Sequence, residues 1–442
     1  MTIDSTARAG ARWPGLDMAP SGVRAAVSAV VARRLFTAAV HRLPVTVVVE
    51  TPHGHRQVLG RGGPTMIVHR PEEFFARLGR HGLIGFGEAY MTEAWDADDL
   101  AGFLTVLAAD LPTLVPSSLQ KARALVVARP PREQKSTAAN SRNNIAHHYD
   151  LSNDLFATFL DETLSYSSAL FDTPIREHPT QQRGHLVAIP PGGESATEPL
   201  EEAQVRKIER LLDRTSVGAG TRLLEIGTGW GELAIRAAQR GAVVRSVTLS
   251  TEQLALARAR VAAAGVADRV QVELRDYRAV EERATYDAVV SVEMIEAVGH
   301  QFWPTYFSTI DGLLAPGGRA GIQAILMPHD RMLATRGSYT WINKYIFPGG
   351  FLPSVEVIDQ ITRRRTGLRI TDRLAMGAHY AETLRRWDET FRARRDDVLA
   401  LGFDETFIRM WHFYLAYSRA GFASGYLDVQ QLVLTRVKGP HA

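Results

Sequence analysis

"TRLLEIGTGWGELAIRAAQRG", residues 221 to 241, runs from an apolar stretch through a turn with glycines at 227, 229 and 231 into a segment whose apolar residues recur at helical spacing. That is a strand, a tight turn and a helix. The pattern repeats downstream: "AVVRSVTLSTEQLALARARVAAAG" (242–265) is again strand then helix. "VQVELRDY" (270–277), "YDAVVSVEMIEAVG" (286–299) and "GGRAGIQAIL" (317–326) supply three more strands. Strands alternating with helices predict an α/β fold with a doubly wound, Rossmann-like parallel sheet, whose ligand lies beyond the carboxyl ends of the strands.

The glycine turn alone can serve a dinucleotide or merely a sharp bend. Its neighbours favour another cofactor. A dinucleotide needs its pyrophosphate at the helix N-terminus, whereas Glu225 places a carboxylate beside the turn and suits a cation such as a sulfonium with its amino group. Asp276, at the end of the third strand, can accept from an adenine amine. The whole pattern points to S-adenosylmethionine in preference to NAD.

A chain of 442 residues exceeds one usual core, so two domains are expected. The net charge is +3, with 16 Lys/Arg against 12 Asp/Glu in residues 1–140 and 35 against 36 in the rest. A basic front suits an acidic partner such as an anionic lipid surface or nucleic acid, although an arginine-rich genome produces the same bias. The absence of cysteine excludes disulfides, zinc thiolates and a thiol nucleophile. No run of 18 apolar residues and no signal-like leader is present, so a cytoplasmic protein, at most resting on the inner face of the membrane, is expected.

Residues 1–20 read as a loose arm. "SGVRAAVSAVVARRLFTAAVHRL" (21–43) predicts a helix capped by Ser21, with Arg24, Arg33, Arg34 and Arg42 flanking an apolar face. That face can touch phospholipid, but packing on its own domain is the favoured reading. Two or three strands follow in 44–70, then helices at "PEEFFARLGRHG" and "DDLAGFLTVLAADLPTLV", giving a smaller mixed α/β N-terminal domain. The polar stretch 129–144 reads as a linker, dividing the chain into 1–135 and 136–442. The Pro- and Gly-rich stretch 176–199 reads as a mobile surface loop, and "LEEAQVRKIERLLDRT" as a helix.

Nine segments carry a more specific likeness: "HHYDLSNDLF", "LDETLSYSSALF", "LEEAQVRKI", "EIGTGWGEL", "VTLSTEQ", "SVEMIEAVGHQFW", "INKYIFPGGFLPS", "GAHYAETLRRW" and "GYLDVQQLVLTR". In this order the chain resembles the cyclopropane-fatty-acid synthase family and its mycolic-acid-modifying relatives, and "FGEAYMTEAWDADDL" resembles the family's N-terminal domain. The resemblance implies a class I methyltransferase that transfers the methyl of S-adenosylmethionine to a cis double bond in a phospholipid acyl chain. It places the cofactor against Tyr166, Ser167, Gly227, Gly229, Thr248, Leu249, Gln253, Asp276 and Tyr277, beside the Glu225 already read from the turn.

Attack by the alkene leaves a carbocation, which aromatic faces can stabilise. Tyr306, Trp341, Tyr345, Phe347, Trp387 and Tyr417 are candidates, each alone more readily a core residue. The resemblance further implies a bound bicarbonate as the base that removes a proton from the cation. The groups that hold it fall on Ser168, Glu296, Gln323, Ile325 and Tyr380, with serine standing for the family's cysteine and glutamine for its histidine. Glu293 is either a further carboxylate near the sulfonium or a surface-facing strand end. Closure of a cyclopropane and formation of a methylene branch, the precursor of tuberculostearate, are both open to such a cation. "MPHDRMLATRGSYTWINKYIFPGG" resembles the branch that makes the latter, which would require a separate reductase to complete the methyl group. Family members often form homodimers. A non-catalytic lipid-binding protein with a degenerate domain is the rival reading, and the polar residues kept at the site speak against it. No metal site and no nucleic-acid partner is expected.

Overall fold

The computed structural model describes residues 13, 15–51, 55–110, 152–179 and 184–436. The chain divides into two compact units, but not at a single point. Residues 338–344 and 388–424 belong with the front of the chain, and the remainder forms the second unit. The expected boundary at 135/136 and the linker 129–144 lie outside the described residues.

In the first unit, β1 (Thr46–Glu50), β2 (Arg56–Gly60), β3 (Thr65–Val68) and β4 (Trp95–Ala97) form a sheet in the order β2-β1-β3-β4. The alternation predicted for this region is visible in β1, where Val47 and Val49 are buried between half-exposed neighbours. The first helix, Val23–Val40, starts after Gly22 with no side-chain cap, so Ser21 does not have the role the sequence suggests. The arm before it is partly anchored: Trp13 Nε1 donates to Asp404 at 2.9 Å, and buried Arg77 donates to the Leu16 carbonyl at 2.6 Å.

The second unit is built on β5 (Ile175–Glu177), β6 (His185–Ala188), β7 (Arg222–Ile226), β8 (Val243–Thr248), β9 (Val270–Leu274), β10 (Tyr286–Val292), β11 (Leu314–Leu326), β12 (Leu368–Ala375) and β13 (Asp428–Arg436). Their order is β5-β6-β12-β13-β11-β10-β7-β8-β9. β7 to β11 are mutually parallel, and β13 is antiparallel to both β11 and β12. Successive residues face opposite cores, as a sheet covered on both sides requires. Leu224 and Val289 pack with Tyr306, Phe307 and Ile310 on one side, while Leu223 and Val290 pack with Ile208, Leu211 and Ala234 on the other. This is the doubly wound sheet read from residues 221–326.

The stretch 176–199 is not simply a surface loop. Its described residues include most of a hairpin, β5 with β6, and β6 runs parallel to β12 at the sheet edge. The short apolar run "HLVA" carries the pairing, and its length of four residues hid it among prolines and glycines.

Candidate active site

Several of the residues proposed for the cofactor or the anion site lie at the carboxyl ends of four adjacent strands. Gly227 and Gly229 follow β7, Leu249 follows β8 with Thr248 its last residue, Asp276 and Tyr277 follow β9, and Glu293 and Glu296 follow β10. Gly227 has φ +96°, and a Cβ there would lie 2.5 Å from Met294 Cγ, so the turn closes against the end of β10 only without a side chain. Thr248 Oγ1 donates to Gln253 Oε1 at 3.0 Å and accepts from Ser250 N at 3.1 Å, which fixes the turn after β8. Both oxygens of Asp276 accept from Arg278, at 2.8 and 2.5 Å. Tyr277 is buried against Tyr306, and its hydroxyl has no hydrogen-bond partner among the described residues.

Glu225 is buried within β7 and accepts from Ser246 Oγ at 2.5 Å. Burial pushes its carboxyl up to about 8, offset in part by Ser246 and the charge of Lys207. A buried carboxyl with one hydroxyl donor beside a glycine turn fits a cationic cofactor.

"LSYSSALF" crosses this region without regular structure, so its backbone groups need partners from elsewhere. Ala169 N donates to Thr383 Oγ1 at 3.1 Å and Phe171 N to His379 Nδ1 at 3.0 Å. From helix Leu200–Arg214, Gln204 donates to the Ser167 carbonyl at 2.9 Å, and Lys207 Nζ to Ser167 Oγ at 2.7 Å. Tyr166 stacks on Trp387, with ring centroids 5.2 Å apart. Burial lowers Lys207 to about 8, opposed by the charges of Glu293, Asp161, Glu232 and Glu225. Sequence reasoning missed Gln204, Lys207, His379 and Thr383. A signal existed for the first two: they lie on the apolar stripe of their helix with Ile208 and Leu211.

Three of the five groups expected around an anion, Ser168, Gln323 and Tyr380, come together around Glu293, and the other two, Glu296 and Ile325, pair with each other. Its Oε1 accepts from Ser168 N and from Gln323 Nε2, both at 2.9 Å, and its Oε2 accepts from the Tyr380 hydroxyl at 2.8 Å. Gln323 is oriented by Gln431, its partner across β11 and β13, which donates to Gln323 Oε1 at 3.2 Å. Ser168 takes part through its backbone N–H, since its hydroxyl donates to the Ala169 carbonyl at 3.1 Å. Glu296 Oε1 accepts from Ile325 N at 2.6 Å, and Glu296 Oε2 is buried with no partner among the described residues. Of the two readings of Glu293, the surface-facing strand end is excluded.

Burial raises Glu293, and the donors Ser168, Gln323 and Tyr380 and the Lys207 charge pull it partly back. Burial and the neighbouring charge of Glu293 raise Glu296 to about 8.

The aromatic candidates divide. Trp387 lies against Tyr166, and Tyr306 is a core residue beneath Tyr277. Trp341 and Tyr417 pack on Phe413 in the first unit. Tyr345 and Phe347 are half-buried.

A doubly wound sheet with a glycine turn, a buried acidic residue before it and polar groups along the strand ends defines an S-adenosylmethionine-dependent methyltransferase. The chain belongs to the mycolic acid cyclopropane synthetase family, whose model matches residues 136–432. It is 52% identical over 429 residues to the tuberculostearic acid methyltransferase UfaA1 of Mycobacterium tuberculosis, covering 97% of this chain and 96% of that one. It is 32% identical over 382 residues to the cyclopropane-fatty-acyl-phospholipid synthase of Escherichia coli K12, covering 84% and 88%. Among solved structures, mycolic acid cyclopropane synthase CmaA1 complexed with SAH and CTAB superposes with a TM-score of 0.57 at 29% identity, covering 66% of this chain and 97% of that one. S-adenosylmethionine, when bound, supplies an electrophilic methyl group. The residues of this chain that would hold it are the Gly227 turn, the Glu225 carboxyl, Tyr166 and Ser167.

Proposed function

We propose that the enzyme methylates the cis double bond of an unsaturated phospholipid acyl chain and releases a methylene-branched product, the precursor of a tuberculostearate-type lipid. The observation that carries this is the 52% identity, over nearly the whole of both chains, to a tuberculostearic acid methyltransferase. The site suits it chemically. An alkene is a weak nucleophile, so it must be held close to the sulfonium away from water. The resulting cation then needs an aromatic face such as Tyr166 or Trp387 and a base such as the carboxylates after β10. A separate reductase would complete the methyl branch.

A bicarbonate base, which the family resemblance implies, fits poorly. Ser168 N, the Gln323 amide and the Tyr380 hydroxyl already donate to Glu293, so an anion seated there would have to displace that carboxylate.

The substrate bilayer is proposed to meet helix Val23–Val40. Val23, Val27, Val30, Val31 and Leu35 are exposed along it, with Arg24 and Arg34 alongside. Its other face packs inward through Ala25 and Ala32, so the expected packing on its own domain uses only one side. Among the described residues no helix is long and apolar enough to cross a membrane, and a peripheral position at the inner face is proposed.

The test is to express the enzyme in cells with an oleate-containing lipid pool and labelled methionine. Mass spectrometry should find one added, labelled CH₂ on unsaturated phospholipid, with olefinic proton signals in the product. Cyclopropyl signals would assign ring closure instead, and unlabelled acyl chains would overturn the proposal.

A further inference from the structure

We propose that Glu293 is itself the base of this reaction, its carboxylate occupying the anion position, so that the enzyme turns over without bicarbonate. The inference rests on the methyl-transfer reading above and concerns how its last proton leaves.

Three independent elements aim donors at this one carboxylate: the irregular segment through Ser168 N, β11 through Gln323 Nε2, and helix Gly377–Ala393 through the Tyr380 hydroxyl. At 2.8 to 2.9 Å all three are well-formed hydrogen bonds. Donors built around an empty anion pocket would point at vacant space, whereas these are satisfied by a side chain of the protein itself.

The backbone supports the same conclusion. Glu293 has φ +50°, an uncommon conformation for a residue with a side chain, and its N–H is tied to the Gln323 carbonyl at 2.8 Å. Glycine would adopt it without strain, so the strain is kept together with the carboxylate. Position follows from the fold. Glu293 directly follows β10, and the next residue, Met294, closes on Gly227, which puts the carboxylate beside the cofactor turn. The groups facing it are Lys207 from helix Leu200–Arg214, Tyr380 from helix Gly377–Ala393, and Glu296 one helical turn on. A charge on Glu293 in turn opposes ionisation of Glu296.

The step balances simply. Methyl transfer leaves a cation on the acyl chain, and a hydride shift moves the charge to the methyl-bearing carbon. A Glu293 oxygen takes a proton from the new methyl, the C–H electron pair becomes the second bond of the C=CH₂ group, and Glu293 ends as a neutral carboxylic acid. It returns that proton to water after product release.

The test uses full-length enzyme, S-adenosylmethionine carrying a labelled methyl, and vesicles of oleoyl phospholipid in CO₂-free buffer with or without added bicarbonate. Wild-type turnover should be the same in both, and calorimetric titration of bicarbonate into wild type should show no binding. Glu293→Gln should lose on the order of 100-fold or more in kcat, the usual scale of a general base, while still binding S-adenosylhomocysteine. Glu293→Gly, which relieves the backbone and opens the pocket, should lose as much in CO₂-free buffer, bind bicarbonate, and recover part of its turnover when the ion is added. Labelled lipid that forms only with bicarbonate, or bicarbonate binding to wild type, would overturn the inference and leave the methyl-transfer reading intact. No labelled lipid under any condition would overturn both.

Discussion

The Tyr380 hydroxyl donates to Glu293 Oε2 at 2.8 Å, joining the helix after β12 to the residue that follows β10. This bond is one of three that favour the ionised carboxylate against the burial that opposes it. Tyr380→Phe should raise the proton affinity of Glu293. The acid limb of the kcat profile should move upward with it. Activity near neutral pH should fall, and much of it should return at more alkaline pH. A profile that only drops in height would assign Tyr380 a structural part instead.

Glu225 predicts a proton-linked cofactor affinity. Burial holds its carboxyl at about 8, and a cation bound nearby would pull it down, so binding below that pH must release a proton. The affinity for S-adenosylmethionine should therefore rise with pH up to about 8 and then level off, while Glu225→Gln binds more weakly and with a flatter pH dependence. Calorimetry in buffers of different ionisation enthalpy measures the released proton directly.

In the first unit, buried Glu88 accepts from Lys344 at 2.5 Å and His81 at 3.1 Å. These partners outweigh its burial and lower its carboxyl to about 2. A lowered carboxyl contributes stability that is fully present above its unfolded value of 4.5 and is lost as the pH falls through about 2. The shift corresponds to roughly 3 kcal/mol. Glu88→Gln should lower stability by up to that amount at neutral pH, and urea titrations of the two proteins should converge at strongly acid pH.

Val27→Glu combined with Val31→Glu places two charges on the exposed apolar stripe of the first helix. Co-sedimentation with anionic vesicles should weaken by ~10-fold or more, since each buried valine is worth roughly 1.5 kcal/mol or more. S-adenosylhomocysteine binding should be unchanged. Undiminished vesicle binding would remove this helix from the membrane contact.

The sheet, and the strand ends where its ligand lies, were legible in the sequence. The strands of residues 222–326 are covered on both faces, so they read as apolar runs, and the turns between them carry glycine where φ is positive, as at Gly227. Both signals are local. The membership of Ser168, Gln323 and Tyr380 in one site was also legible, through the resemblance of separate segments. What they surround was not. The positions of Glu293 and Gln323 are joined by strand pairing between β10 and β11, and Tyr380 arrives from a helix 87 residues further along the chain. No local pattern records that three donors converge on a carboxylate, because convergence is a property of the packed elements. For the same reason Lys207 read only as one charge on an amphipathic helix, until the tertiary structure buried it against Ser167.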